Sequence, residues 1–173
     1  MKAMLVTRTS LCLACKACEI ACAVEHSASK DLYTAIQESP APCARVTVLQ
    51  GEGFTVPLQC RQCENAPCMQ VCPTQALSRL DQSSPVLLEE NLCIGCTWCV
   101  QACPFGVIRL DAQSHAIIKC DQCFARVQSG ELPACVVACP THALEFKTQD
   151  EILAEKREAT LAEIRGTLDE VTK

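Results

Sequence analysis

Aromatic residues are nearly missing from this 173-residue chain: four Phe, Tyr33 and Trp98 are the whole set. The length suits one domain or two small fused modules, but ring packing cannot supply the core. No stretch approaches the about eighteen apolar residues that a membrane span requires, so no direct membrane span is expected. Lys and Arg are scattered, and a net charge of −5 leaves no nucleic-acid footprint. The first residues, MKAMLVTRTSLCLACK, hold no apolar run before a small-residue cleavage site, because cysteines begin at residue 12. No export signal is therefore expected, and a reducing compartment, the cytoplasm, is the expected location. No glycine-rich phosphate loop, paired carboxylates or nucleophile–base pattern accompanies His26, His115 or His142. Each is expected to be a solvated or locally hydrogen-bonded ring, and no catalytic residue is expected anywhere in the chain.

Cysteine fills the gap. At seventeen in 173 residues, cysteine chemistry must do much of what apolar packing does elsewhere. Three chemistries use so many thiols: disulfide scaffolds, zinc sites and iron–sulfur clusters. Disulfide frameworks belong to secreted chains, which the missing export signal argues against.

Spacing separates the other two. Cys12, Cys15, Cys18 and Cys22 read CxxCxxCxxxC, and Cys93, Cys96, Cys99 and Cys103 repeat that spacing and precede Pro104. Cys60, Cys63, Cys68 and Cys72 read CxxCxxxxCxxxC and precede Pro73. Cys120, Cys123, Cys135 and Cys139 have eleven residues between the second and third cysteines and precede Pro140. Successive CxxC steps wrap a tight turn that aims thiolates at neighbouring irons of one cube. The fourth cysteine points away and ligates the other cluster of a two-cluster pair, so each pair of motifs makes one folding unit. Proline there fixes φ, removes a donor and ends the short helical turn. Structural zinc takes two ligand pairs parted by a longer loop and has no use for four cysteines within eleven residues. Sixteen cysteines are thus expected to bind iron as four [4Fe–4S] clusters, and Cys43, beside Pro42, is left as a spare thiol.

Short strand-like stretches lie between the motifs at 45–49, 54–58, 86–88 and 116–118. Apolar tails follow three motifs: Gln75-Ala76-Leu77, Gly106-Val107-Ile108 and His142-Ala143-Leu144. They are expected to lid the neighbouring cubes against water, since exposure helps set cluster potential. Trp98 is expected to shield a cube as well. From residue 148 the chain changes character, with neither cysteine nor proline. Thr148 and Glu151 form a capping-box signature, and Leu161, Ile164, Leu168 and Val171 make one apolar stripe. An amphipathic helix is expected over 148–173, either packed on its own domain or docked on a partner subunit or a second copy.

The chain resembles the four-cluster ferredoxin-like subunits of the dimethyl sulfoxide reductase and formate dehydrogenase type. It is most similar to those serving anaerobic carbon monoxide dehydrogenase, hydrogenase-linked formate dehydrogenase and aldehyde oxidoreductase. The resemblance is carried by Cys18-Glu19-Ile20-Ala21-Cys22-Ala23-Val24-Glu25-His26, the wider motif with Asn65-Ala66-Pro67-Cys68, Cys93-Ile94-Gly95-Cys96 and the stretched fourth motif, and it covers 1–147. It implies an α+β fold of tandem bacterial ferredoxin-like modules, with short β-hairpins and helical turns around four clusters, plus a C-terminal α-helix. One module would combine the first and fourth motifs; the second, inserted at 52–112, would combine the second and third.

The resemblance also implies ligand sets. Cys12, Cys15, Cys18 and Cys139 would hold one cluster, and Cys120, Cys123, Cys135 and Cys22 its neighbour. Cys60, Cys63, Cys68 and Cys103 would hold a third, and Cys93, Cys96, Cys99 and Cys72 a fourth. In some relatives Trp replaces the cysteine at position 99 and leaves a three-iron cluster; Cys99 implies a full cube here. Ala23 stands where the other motifs have proline. The implied role is a non-catalytic electron-transfer subunit. Its partners would be a catalytic redox subunit and further iron–sulfur or flavin subunits. A freely diffusing polyferredoxin is the alternative.

Overall fold

The computed structural model describes residues 3–111 and 115–171, with the side chains of 167–171 outside the description. Strands are short because little chain separates the cysteine groups, and they pair as four antiparallel two-stranded sheets. β1 (Ala3–Thr7) pairs with β8 (Leu144–Thr148), in the register Ala3 with Thr148 to Thr7 with Leu144, and so ties the two ends of the cysteine-rich chain together. β2 (Thr47–Gly51) and β3 (Phe54–Leu58) form a hairpin whose corner is Gly53 at φ 76°, a left-handed conformation that glycine adopts without a Cβ clash. β4 (Leu77–Ser78) pairs with β5 (Leu87–Leu88), and β6 (Arg109–Leu110) with β7 (Ile117–Ile118). The expected strands at 45–49, 54–58, 86–88 and 116–118 are thus β2, β3, β5 and β7 to within two residues. β4 and β6, which pair with β5 and β7, and the pair β1 and β8 lie outside those stretches.

Helices are equally short and carry the later thiols of each motif. α1 (Ala17–Glu25) bears Cys18 and Cys22, α2 (Leu32–Ala35) follows, and α3 (Pro67–Gln70) bears Cys68. α4 (Trp98–Ala102) bears Cys99, α5 (Phe124–Gln128) starts after Cys123, and α6 (Ala134–Val137) bears Cys135. One 3₁₀ turn, Thr9–Leu11, leads into Cys12, and another, Glu90–Leu92, leads into Cys93.

The backbone repeats with the cysteines. Two residues after the first cysteine of each motif φ turns positive: Ala14 at 55°, Gln62 at 50°, Gly95 at 66° and Gln122 at 60°. Three residues after the last cysteine it turns positive again at Gln75, Gly106 and His142. A left-handed non-glycine residue costs about 1–3 kcal/mol, so its recurrence at one offset marks a site that over-determines the backbone. Gly95 is the position where no side chain fits, because a Cβ would lie 2.4 Å from the His115 carbonyl oxygen.

Two buried clusters share the interior. Leu5, Cys18, Cys22, Val46, Cys120, Cys135, Val136 and Leu144 make one, where α1 packs on α6. Ala66, Cys68, Leu77, Val86, Cys99, Ile108 and Ile117 make the other. Aliphatic and thiol side chains therefore do the work that rings do in most cores of this size.

α7 (Gln149–Val171) begins with the foreseen capping box. The Thr148 N–H donates to Glu151 Oε2 at 2.7 Å, and the Glu151 N–H donates to Thr148 Oγ1 at 3.3 Å. Its first turns are tied to the β1–β8 pair by Glu155, which pairs with Arg8 at 3.1 Å and with Lys147. Leu161 and Ile164 stand 65% and 50% exposed, so beyond those turns the stripe keeps much of its surface open to solvent. The side chains of Leu168 and Val171 lie outside the described residues.

Candidate metal centres

Three small cavities of nearly equal atom-free volume, about 300, 320 and 310 Å³, are each lined by four cysteines. Cys12, Cys15, Cys18 and Cys139 line the first, closed by Val48, Pro57, Ala143 and Leu144. Cys60, Cys63, Cys68 and Cys103 line the second, with Ala66, Val86, Val107 and Ile108. Cys72, Cys93, Cys96 and Cys99 line the third, with Ala76, Leu77, Leu88 and Ile117. Cys22, Cys120, Cys123 and Cys135 form a fourth group, close enough for their charges to act on one another. In every group three thiols come from one motif and the fourth from another. The apolar tails after Cys72, Cys103 and Cys139 each supply wall residues, which keeps water off the sulfurs. Trp98 departs from its expected place: it is 56% exposed and lines none of these cavities, whereas its neighbours Ile94 and Thr97 do.

Burial sets the electrostatics. All seventeen thiols are free, and removal from water pushes Cys18, Cys99 and Cys123 up to about 11 and Cys120 to about 12. Cys68 and Cys135 are pushed up by the same cause. Such thiols stay protonated at neutral pH unless a metal replaces the proton. Cys72 and Cys139 go the other way: burial alone would raise them, but backbone N–H groups outweigh it. These come from Leu77, Thr74 and Ala76 at Cys72, and from Leu144, Thr141 and Ala143 at Cys139, and the Thr74 and Thr141 hydroxyls, each 3.8 Å from sulfur, act in the same sense. The CPxx turn with its positive-φ third residue aims those N–H groups at sulfur.

His26, expected to be solvated or locally hydrogen-bonded, is hydrogen-bonded, and its partners extend beyond its own turn. Nδ1 lies 2.8 Å from the Cys22 carbonyl oxygen and Nε2 lies 3.2 Å from Asp121 Oδ1. Arg45 pairs with Asp121 Oδ2 at 2.9 Å, and its backbone N–H donates to Cys22 Sγ at 3.2 Å. Burial would lower the His26 pKa, but the hydrogen bonds to Asp121 and Cys22 prevail and raise it to about 9. Asp121 is held below the usual carboxylate range, the His26 hydrogen bond and Arg45 charge overcoming its burial. The three belong to segments 95 residues apart in sequence, and no spacing rule links them. His115 and His142 are exposed, both with positive φ in turns. Cys43 is exposed, with Sγ 3.8 Å from the Ala41 carbonyl oxygen, and lines none of the three four-cysteine cavities.

The donor set decides what fits. Four sulfurs around a small apolar cavity suit iron in a cube, and a hard cation would require oxygen ligands. The residues present therefore fit [4Fe–4S] clusters, and short hairpins with helical turns around thiol quartets define a ferredoxin-like iron–sulfur protein of α+β class. Residues 52–149 match the 4Fe-4S dicluster domain, a segment holding twelve of the sixteen motif cysteines, and the chain belongs to that family of electron-transfer proteins. It is 41% identical to an iron-sulfur protein of Rhodospirillum rubrum over 88% of this chain and 86% of that one. It is 37% identical to the electron transport protein HydN of Escherichia coli over 92% and 98% of the two chains. It is 40% identical to the thiosulfate reductase electron transfer subunit PhsB of Salmonella typhi over 81% and 72%. Among the described residues no helix is long and apolar enough to cross a membrane.

Proposed function

We propose that this chain is a non-catalytic subunit that relays single electrons through four [4Fe–4S] clusters between a catalytic oxidoreductase subunit and a donor or acceptor. The observation that carries the reading is the lining of three like-sized cavities by four thiols each, with the fourth thiol always lent by a second motif. The ligand sets are then Cys12, Cys15, Cys18 with Cys139; Cys120, Cys123, Cys135 with Cys22; Cys60, Cys63, Cys68 with Cys103; and Cys93, Cys96, Cys99 with Cys72. A cube bound there takes up and returns one electron without making or breaking a bond to substrate. The chain's own part is to fix the sulfurs, direct N–H groups at Cys72, Cys139 and Cys22, and exclude water with Leu77, Ile108 and Leu144.

The two buried clusters support two modules, one from the first and fourth motifs and one from the second and third. The inserted module reaches past 112, since Ile117 belongs to its core. The hairpin at 47–58 sides with the first motif, because Thr55 Oγ1 donates to the Cys12 carbonyl at 2.8 Å and Pro57 lines the Cys12 cavity. Thiols kept free for iron call for a reducing compartment, the cytoplasm.

The names of relatives that serve thiosulfate reductase and anaerobic dimethyl sulfoxide reductase support an enzyme-bound subunit. The exposed Leu161 on α7 gives such a partner, or a second copy, a surface to hold. Anaerobic purification from the native host under mild conditions tests the reading. A catalytic oxidoreductase chain in fixed stoichiometry is expected, lost when 149–173 are deleted. A chain that elutes alone with all its iron is a diffusing polyferredoxin instead.

A further inference from the structure

Between the quartet of Cys60, Cys63, Cys68 and Cys103 and that of Cys22, Cys120, Cys123 and Cys135 runs a buried polar seam. Lys119 is 4% exposed, and its Nζ donates to the Val86 carbonyl at 2.6 Å and to the Cys120 carbonyl at 2.9 Å. Gln62, also buried, donates from Nε2 to the same Cys120 carbonyl at 3.0 Å and accepts the Val86 N–H on Oε1 at 2.8 Å. Val86 lines the first quartet's cavity, and Cys120 is itself a member of the second. Two side chains and one peptide unit therefore join the two thiol groups through the interior.

A buried ammonium is costly unless an anion compensates it, because low dielectric penalises lone charge. Among the described residues no carboxylate forms an ion pair with Lys119. Its Nζ instead bonds the carbonyls of Val86, which lines the first quartet's cavity, and of Cys120, a member of the second, so a thiol group flanks it on each side. A cation favours the more negative member of any redox couple beside it, and local charge is one of the levers on cluster potential.

We propose that the Lys119 ammonium is a counter-charge shared by these two quartets, raising the reduction potential of both cofactor sites and so keeping electron passage between the modules near balance. Gln62 acts with it as a positioning residue that holds the Cys120 and Val86 carbonyls in place. The proposal rests on the ligand sets given under the proposed function.

The test uses the full chain reconstituted without oxygen, with iron and acid-labile sulfide counted before a redox titration followed by electron paramagnetic resonance. Lys119→Met removes the charge and keeps the apolar stem. With about sixteen irons per chain retained, two of the four midpoint potentials are expected to fall, each by a tenfold or larger change in the reduction equilibrium, 59 mV for one electron, while the other two stay. Gln62→Glu is read in parallel, since it neutralises the seam with Lys119 still present; the same two potentials are expected to fall. Fully loaded variants whose four potentials stay at the wild-type values, or all move alike, overturn the shared counter-charge. A wild-type chain that takes up no iron overturns the ligand sets beneath it, a different result with a different reading.

Discussion

Cys43 and Cys135 carry the same functional group with opposite prospects. Cys135 is buried, and burial, with Cys120, Cys22 and Cys123 beside it, disfavours its ionisation unless a metal replaces the proton. Cys43 is exposed, and the structure gives its sulfur one weak contact, to the Ala41 carbonyl. Replacing Cys43 by Ser is expected to leave iron per reconstituted chain unchanged. Replacing Cys135 by Ala is expected to remove between about one and about four irons, as a cube loses a corner or the whole site empties. Iron analysis of the two variants side by side checks this; an equal loss in both would place Cys43 among the ligands. The residues around the sulfurs tell a related story. The left-handed turns at Ala14, Gln62 and Gln122 use side chains that ordinarily avoid positive φ, and the shared offset from cysteine says that sulfur placement, not residue preference, sets the backbone there.

Elements in this fold are short enough that caps and pairings decide them. α7 is the exception in length, and little of its described side-chain surface is buried, so its start depends on the reciprocal bonds between Thr148 and Glu151. Thr148→Ala is expected to cost about 1 kcal/mol at that helix start, read as faster amide exchange over 149–155 with iron content unchanged. Exchange no faster than in the wild type would mean that the ion pairs of Glu155 with Arg8 and Lys147 hold the first turns by themselves. The capping box was legible because its two residues are three apart in sequence. The two strands of the β2–β3 hairpin were legible in the same way, but their pairing was not, since the expected module boundary at 52 fell between them. β1 was not, because its partner β8 lies at the far end of the cysteine-rich region and local pattern cannot report a pairing across that distance. Arg45, Asp121 and His26 were missed for the same reason. Lys119 beside Cys120 and Gln62 between Cys60 and Cys63 gave no signal, since a side chain bonded to a carbonyl leaves no periodicity to find.

At the scale of the whole molecule, composition and architecture agree. A chain with six aromatic residues builds two modest aliphatic and thiol cores; motif cysteines supply buried sulfur to both, and twelve of the sixteen line the three cavities. The cysteine intervals alone set out which residues would meet metal, because CxxC geometry is local. Which motif lends a sulfur to which came from resemblance, and for three of the four proposed sets the same four cysteines line one cavity. Buried thiols with raised pKa values are poor company without metal, so the apo chain is expected to be largely unfolded, and folding and loading become one event. The central claim is tested most directly by counting iron and acid-labile sulfide in the chain purified or reconstituted without oxygen. About sixteen of each per chain, four cubes of four, is the predicted result. Zinc in the sites with no labile sulfide would contradict it.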